Sequence, residues 1–124
     1  MDFLLPLESD PRAAGHARQA VKHKLTEWGH TNCLDDALLV VSELVANAIR
    51  HGGSPVALHL MVRTPVVLIG VQDGSPTTPP TPRALTDTHT GGRGMHLISA
   101  VCKRWWWYQC EKTKIVWAEI PLAA

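Results

Sequence analysis

The sequence has few of the residues that stabilise a small protein by cross-links or metal sites. Its 124 residues include 3 cysteines, Cys33, Cys102 and Cys110, which are widely spaced and form no CxxC motif. This pattern argues against a disulfide scaffold and against a structural zinc site. No run of about 18 apolar residues occurs, so we expect no membrane-spanning helix. The apolar stretch at residues 3–7 lacks a basic leader and precedes acidic residues, unlike a secretory signal.

A large excess of charge of either sign is also missing. The chain has 12 Lys and Arg residues against 11 Asp and Glu residues, a net charge of +1. Dedicated nucleic-acid binders usually carry a strongly basic face, so we expect no direct nucleic-acid binding. A single polyanion can still be bound through backbone N–H groups and a metal ion. With 45% hydrophobic residues, the sequence predicts one soluble, cytoplasmic domain over residues 1–124.

The hydrophobic patterns predict an α+β fold, a two-layer sandwich with helices on one face of a mixed β-sheet. Pro6 suits an edge strand, and Gly29 and Gly52-Gly53 suit helix ends. The predicted strands are residues 3–7, 56–62, 66–71, 104–109 and 115–120, and the predicted helices are about 12–28, 32 or 35 to 51, and 95–101. The segment from about 75 to 94, rich in proline and threonine, is typical of a lid or binding loop.

The second predicted helix carries the first candidate site. Glu43, Asn47 and His51 follow at intervals of four residues with Arg50 beside them, so all four share one helix face. Three large aliphatic residues border this polar arc, namely Leu39, Val40 and Leu44. The arc is either the solvated side of an ordinary amphipathic helix or the lining of a pocket. Exposure of the aliphatic border on a solvated arc would be unfavourable, which favours a pocket.

Two further segments are candidates for ligand binding. Asp73-Gly74 follows an apolar strand, either as a turn or as a carboxylate that accepts a hydrogen bond from a ligand amine. Residues 91–95, Gly-Gly-Arg-Gly-Met, open a predicted helix. Such a cluster is either a hinge or a loop whose free N–H groups bind phosphate.

Together, the order of these motifs resembles the GHKL ATP-binding superfamily, which has the Bergerat fold. The pattern Glu-Leu-Val-x-Asn-Ala-x-x-His-Gly at residues 43–52 is most similar to the anti-sigma factor, serine-protein kinase branch of HATPase domains. The closing Val-Trp-Ala-Glu-Ile-Pro at 116–121 is similar to actinobacterial members. The resemblance covers about residues 11–121.

This resemblance implies ATP and Mg²⁺ as ligands. Asn47 would hold the magnesium ion, and Asp73 would accept from the adenine amine, with Gly74 allowing the base to approach. Glu43 would be the general base that deprotonates a serine or threonine hydroxyl. The other implied nucleotide-binding residues are His51, Gly91, Gly92, Arg93, Gly94, Met95 and Thr113. Thr113 is the nearest match to a threonine that relatives place near adenine, although Ile115 is an alternative for that position.

The implied function is regulatory. Such a protein sequesters a sigma factor, or phosphorylates an anti-sigma-factor antagonist, and it can form a homodimer. One alternative is a non-catalytic module that keeps the fold and only binds a partner. Another is a metal or small-molecule enzyme that uses His16, His23 and His30, which recur every seven residues.

Overall fold

The computed structural model describes residues 1–75 and 101–122 of the chain. In these residues, five strands form one sheet and two helices pack on one of its faces. The elements in chain order are β1 (Asp2–Leu7), α1 (Ala13–Glu27), α2 (Leu34–His51), β2 (Val56–Arg63), β3 (Val66–Asp73), β4 (Arg104–Cys110) and β5 (Thr113–Pro121). The predicted α+β two-layer class is confirmed.

The strand order in the sheet is β1-β2-β3-β5-β4. Every neighbouring pair in this described sheet is antiparallel, so the prediction of a mixed sheet was wrong for these residues. Two helices lie between β1 and β2, and their two passes along the sheet bring the chain back to the end where β1 finished. Tight turns connect β2 to β3 and β4 to β5, which also makes each of these pairs antiparallel.

The ends of α1 follow the local sequence signals. The Arg12 backbone N–H donates to Asp10 Oδ1 at 2.8 Å immediately before the helix. Gly29, just after the helix, has a φ of +80°, a conformation that costs glycine little. The predicted start and end of this helix are therefore confirmed to within about one residue.

The core lies between the sheet and the helices. α2 lies over β3 and also contacts β2 and β5, whereas α1 packs against α2 and β1. Alternate residues of the central strands are buried toward the helices, namely Leu58, Leu60, Val67, Ile69, Val71, Val116, Ala118 and Ile120. This alternation places the intervening residues on the opposite face of the sheet.

Aromatic side chains pack on both faces of the sheet. Trp105 and Trp107 of β4 pack against the core, while the Trp106 ring lies 4.6 Å from the Arg104 guanidinium. On the same face as Trp106, the Trp117 ring covers Gly70, where a Cβ atom would lie 2.6 Å from the ring. β4 thus places aromatic residues on both faces of the sheet.

Within residues 1–75 and 101–122, neither helix combines the length and the hydropathy needed to cross a bilayer.

Candidate functional site

The polar stripe of α2 lies on the flank of that helix turned away from α1. Ser42 marks the opposite flank, because its hydroxyl accepts a hydrogen bond from Arg18 of α1 at 3.4 Å. With 3.6 residues per turn, Glu43, Asn47 and His51 are rotated away from that contact. Glu43 and Asn47 are half-buried, and His51 is exposed. These three side chains therefore share one face, as their spacing predicted. Arg50, the fourth predicted member of the face, lines a cavity with Asp10, Pro11 and Ala14.

The aliphatic residues beside this stripe have a simpler explanation than a pocket. Val40 and Leu44 are 0% and 2% exposed and belong to the core between α2 and the sheet. Leu39 is half-buried. These residues therefore do not favour a pocket over a solvated arc, because the core-facing side of α2 is wider than the sequence pattern indicated.

Asp73 ends β3 as a buried carboxylate. Its side chain is 2% exposed, and its Oδ2 atom lies 3.2 Å from Nζ of Lys114, whose side chain is also 2% exposed. Its Oδ1 atom accepts the backbone N–H of Ser75 at 2.9 Å. Each charge of the pair compensates the other in a place that water does not reach.

The end of α2 touches the end of β3. A Cβ atom on Gly52 would lie 2.1 Å from Cγ of Asp73, so only a glycine permits this approach of helix and carboxylate. The Gly74 N–H donates to the Gly53 carbonyl at 2.9 Å and joins the same two elements. Asn47 lies five residues before Gly52, about 7.5 Å along the helix axis. The structure thus brings the C-terminal end of the α2 stripe and Asp73 to the same end of the two layers, whereas Glu43 lies near the middle of the helix.

Gly74 is required by packing. A Cβ atom at this position would lie 1.9 Å from the carbonyl oxygen of Ser54 and 3.2 Å from Pro55. The loop before β2 therefore explains the glycine without any ligand.

Thr113 and Lys114 lie on opposite faces of β5. The Thr113 hydroxyl accepts from Gln72 Nε2 at 3.1 Å and donates to the Cys110 carbonyl at 2.9 Å, on the face away from the helices. Lys114 is paired directly across from Asp73 and reaches its carboxylate. The structure does not bring Thr113 to Asp73.

Sequence reasoning missed Lys114. A signal was present, because Lys114 shares its strand parity with the apolar residues Val116, Ala118 and Ile120. That parity places a lysine among residues that face the core. Its partner could not be identified without the register of β3 on β5.

The remaining predicted site residues, Gly91, Gly92, Arg93, Gly94 and Met95, lie outside the described residues. The same is true of the predicted lid beyond Ser75 and of almost all of the predicted helix at 95–101.

The histidines of α1 make surface contacts with acidic residues. His16 contacts the Glu8 carboxylate, and His23 Nε2 lies 3.4 Å from Glu27. In the two described ranges, no group of three or more His, Cys, Asp or Glu side chains is placed to hold a metal ion.

Comparison with protein families matches residues 7–118 to the histidine kinase-like ATPase domain. The chain belongs to this family. No curated protein matches the sequence.

Two solved structures share the fold of this ATPase domain. One contains the RsbU and RsbW domains of Rv1364c from Mycobacterium tuberculosis, with a TM-score of 0.72 and 16% identity over 98% of this chain. The chain spans 32% of the length of that structure. The other is the Acinetobacter baumannii histidine kinase AdeS, with a TM-score of 0.57 and 14% identity over 98% of this chain and 68% of AdeS.

The described residues fit a magnesium ion at Asn47, but the contacts of Asp73 restrict how a purine base can bind there. The half-buried amide of Asn47 offers an oxygen of the kind that hard divalent cations prefer. Asp73 offers a carboxylate suited to an amine donor, but both of its oxygens already have partners in Ser75 and Lys114. A purine amine would therefore share Asp73 with a lysine.

Proposed function

We propose that this chain is an ATP-binding anti-sigma regulatory domain that acts as a serine/threonine protein kinase on an anti-sigma-factor antagonist, sequesters a sigma factor, or does both. The match to the ATPase family over residues 7–118 is the observation that carries ATP binding. The α2 pattern at residues 43–52 supports the choice of branch. We also propose that the protein is located in the cytoplasm and can form a homodimer.

The proposed roles follow from the family resemblance, and the placement of Glu43 and Asn47 on one face of α2 supports them. Asn47 would hold Mg²⁺, which neutralises phosphate charge when bound. Glu43, one turn earlier on the same helix face, would take the proton of the partner's hydroxyl. Asp73 would contact the base at the end of β3. His51, Gly91, Gly92, Arg93, Gly94 and Met95 complete the proposed nucleotide site, with the glycine-rich segment as a lid.

A non-catalytic partner-binding module is the second proposal. The ion pair of Asp73 with Lys114 favours it, because a carboxylate already paired with a cation binds a purine amine less well. In that case, the domain keeps the fold, binds nucleotide weakly and only sequesters its partner.

Nucleotide binding is tested by thermal unfolding with and without Mg-ATP. Ligand that binds only the folded state raises its stability, by about 2.7 kcal/mol at 100 times the Kd. We expect Mg-ATP to raise the Tm of the wild type and Asn47→Ala to abolish this rise. Asn32→Ala, on the exposed loop before α2, is the matched control and should behave as wild type. A Tm unaffected by Mg-ATP would refute ATP binding.

Phosphoryl transfer is tested with labelled ATP and candidate antagonist proteins. Glu43→Ala should keep the Tm rise with Mg-ATP and lose transfer by about 10²-fold or more, because a general base typically contributes that much. Glu27→Ala removes an exposed glutamate of α1 and should keep full transfer. Binding of ATP and of a sigma factor without transfer to any antagonist would favour the non-catalytic module.

A further inference from the structure

We propose that Lys114 sets the purine selectivity of this site, because it pairs with Asp73 and competes with the adenine amine for that carboxylate. This inference rests on the proposed nucleotide binding at Asp73. It assigns a selectivity role to a residue that the sequence motifs did not include.

The first support is that each oxygen of the Asp73 carboxylate already has a partner. Oδ1 of Asp73 accepts the Ser75 N–H at 2.9 Å, and Oδ2 lies 3.2 Å from Lys114 Nζ. The backbone of Gly52 packs against the same carboxylate. An amine that binds Oδ2 must therefore share it with the ammonium group or displace it.

The second support is that Lys114 is fixed next to the Asp73 carboxylate. Its side chain is 2% exposed, and its α-carbon lies directly opposite that of Asp73 in the β3–β5 ladder. A buried ammonium without a counter-charge is strongly unfavourable, so withdrawal of Lys114 from Asp73 opposes binding. The neutral amine of adenine offers a weaker interaction than the cation it must displace.

This arrangement alters which bases the site distinguishes. A free carboxylate selects adenine, because the 6-amino group donates to it, whereas hypoxanthine presents a 6-carbonyl oxygen that repels it. With Lys114 on Oδ2, the amine gains little and the carbonyl oxygen faces an ammonium donor. We therefore expect ATP and ITP, which differ in this edge of the base, to bind with similar affinity.

The test is calorimetric titration of Mg-ATP and Mg-ITP into the wild type and three variants. We expect the two affinities in the wild type to agree within about threefold, and Lys114→Met to favour ATP by about tenfold or more through tighter ATP binding, since a hydrogen bond to a charged group has this magnitude. Lys114→Arg keeps the cation and should behave as wild type. Lys112→Met, in the exposed β4–β5 turn, is the matched control.

The outcomes separate this inference from the proposed function. A wild type that already prefers ATP by more than tenfold overturns the role of Lys114, and this measurement needs no variant to fold. Weaker ATP binding by a folded Lys114→Met protein also overturns it, because the lysine would then assist the base. A wild type and a Lys114→Met protein that bind neither nucleotide overturn nucleotide binding at Asp73, and this inference with it.

Discussion

Replacement of Lys114 by methionine removes a cation from a buried carboxylate and keeps a side chain of similar length. The Nζ–Oδ2 distance is 3.2 Å, and the side chains of Lys114 and Asp73 are each 2% exposed, so water cannot replace the lost partner. Breaking a buried pair in this way costs about 3–5 kcal/mol, against about 0–1 kcal/mol for an exposed pair. For a protein of this size, we expect the Tm to fall by roughly 10–20 °C.

The loss should be recovered when both charges are removed. Asp73→Asn with Lys114→Met leaves no buried charge and keeps an oxygen that accepts the Ser75 N–H. We expect this double variant to be more stable than Lys114→Met alone by about 2 kcal/mol or more, since replacement of a whole buried pair is often nearly neutral.

An exposed ion pair provides the control. Asp2 Oδ1 lies 2.7 Å from Arg63 Nη1, a shorter distance than in the buried pair, but the two side chains are 61% and 51% exposed. Asp2→Asn should therefore change the free energy of unfolding by less than about 1 kcal/mol.

Urea unfolding followed by tryptophan fluorescence and far-UV circular dichroism measures these differences. The slope of the free energy against urea should be the same in all variants, so that shifts in midpoint report stability. A Lys114→Met protein within about 1 kcal/mol of wild type would refute the reasoning. So would a double variant no more stable than the single one.

Three other predictions concern the outer face of the sheet and the cysteines. Gly70→Ala places a Cβ 2.6 Å from the Trp117 ring and should cost about 1–3 kcal/mol in urea unfolding; an unchanged midpoint would contradict the packing of that ring. Iodoacetamide at pH 8 should modify exposed Cys110 before Cys102, because burial, with a smaller contribution from Asp36, raises the pKa of Cys102 to about 12. Equal rates by mass spectrometry would argue against this burial. The Cys102 thiol has a pKa of about 9 in the unfolded chain and about 12 in the folded protein. Its contribution to the free energy of unfolding is therefore fully present below pH 9 and is lost as the pH rises from 9 to 12. Cys102→Ala should therefore lose less stability than the wild type between pH 9 and 12. An identical dependence of stability on pH in the two proteins would contradict the raised pKa of Cys102.

Much of the local structure, and the family to which the chain belongs, could be predicted from the sequence. The spacing of apolar residues gave the positions of both described helices and all five described strands. Gly29 and the Gly52-Gly53 pair marked helix ends because glycine adopts a positive φ or permits a close approach at little cost. The motifs of α2 and of the turn at Asp73 were sufficient to indicate the ATPase family, since they depend on residue order along the chain.

The structure was needed wherever two distant segments meet. The direction of each strand depends on how the connecting helices return the chain, which local periodicity does not contain. Val40 and Leu44 were assigned to a pocket border because the width of the core-facing side of α2 depends on what packs against it.

The partner of Asp73 also depends on how two distant segments pair. Local sequence determined that Asp73 ends a strand and that Lys114 falls on the apolar side of another. Only the β3–β5 register placed the two side chains opposite each other and put Thr113 on the other face. A shift of one residue in that register would exchange the two faces, because side chains alternate along a strand, and cross-strand register is a property of the assembled sheet.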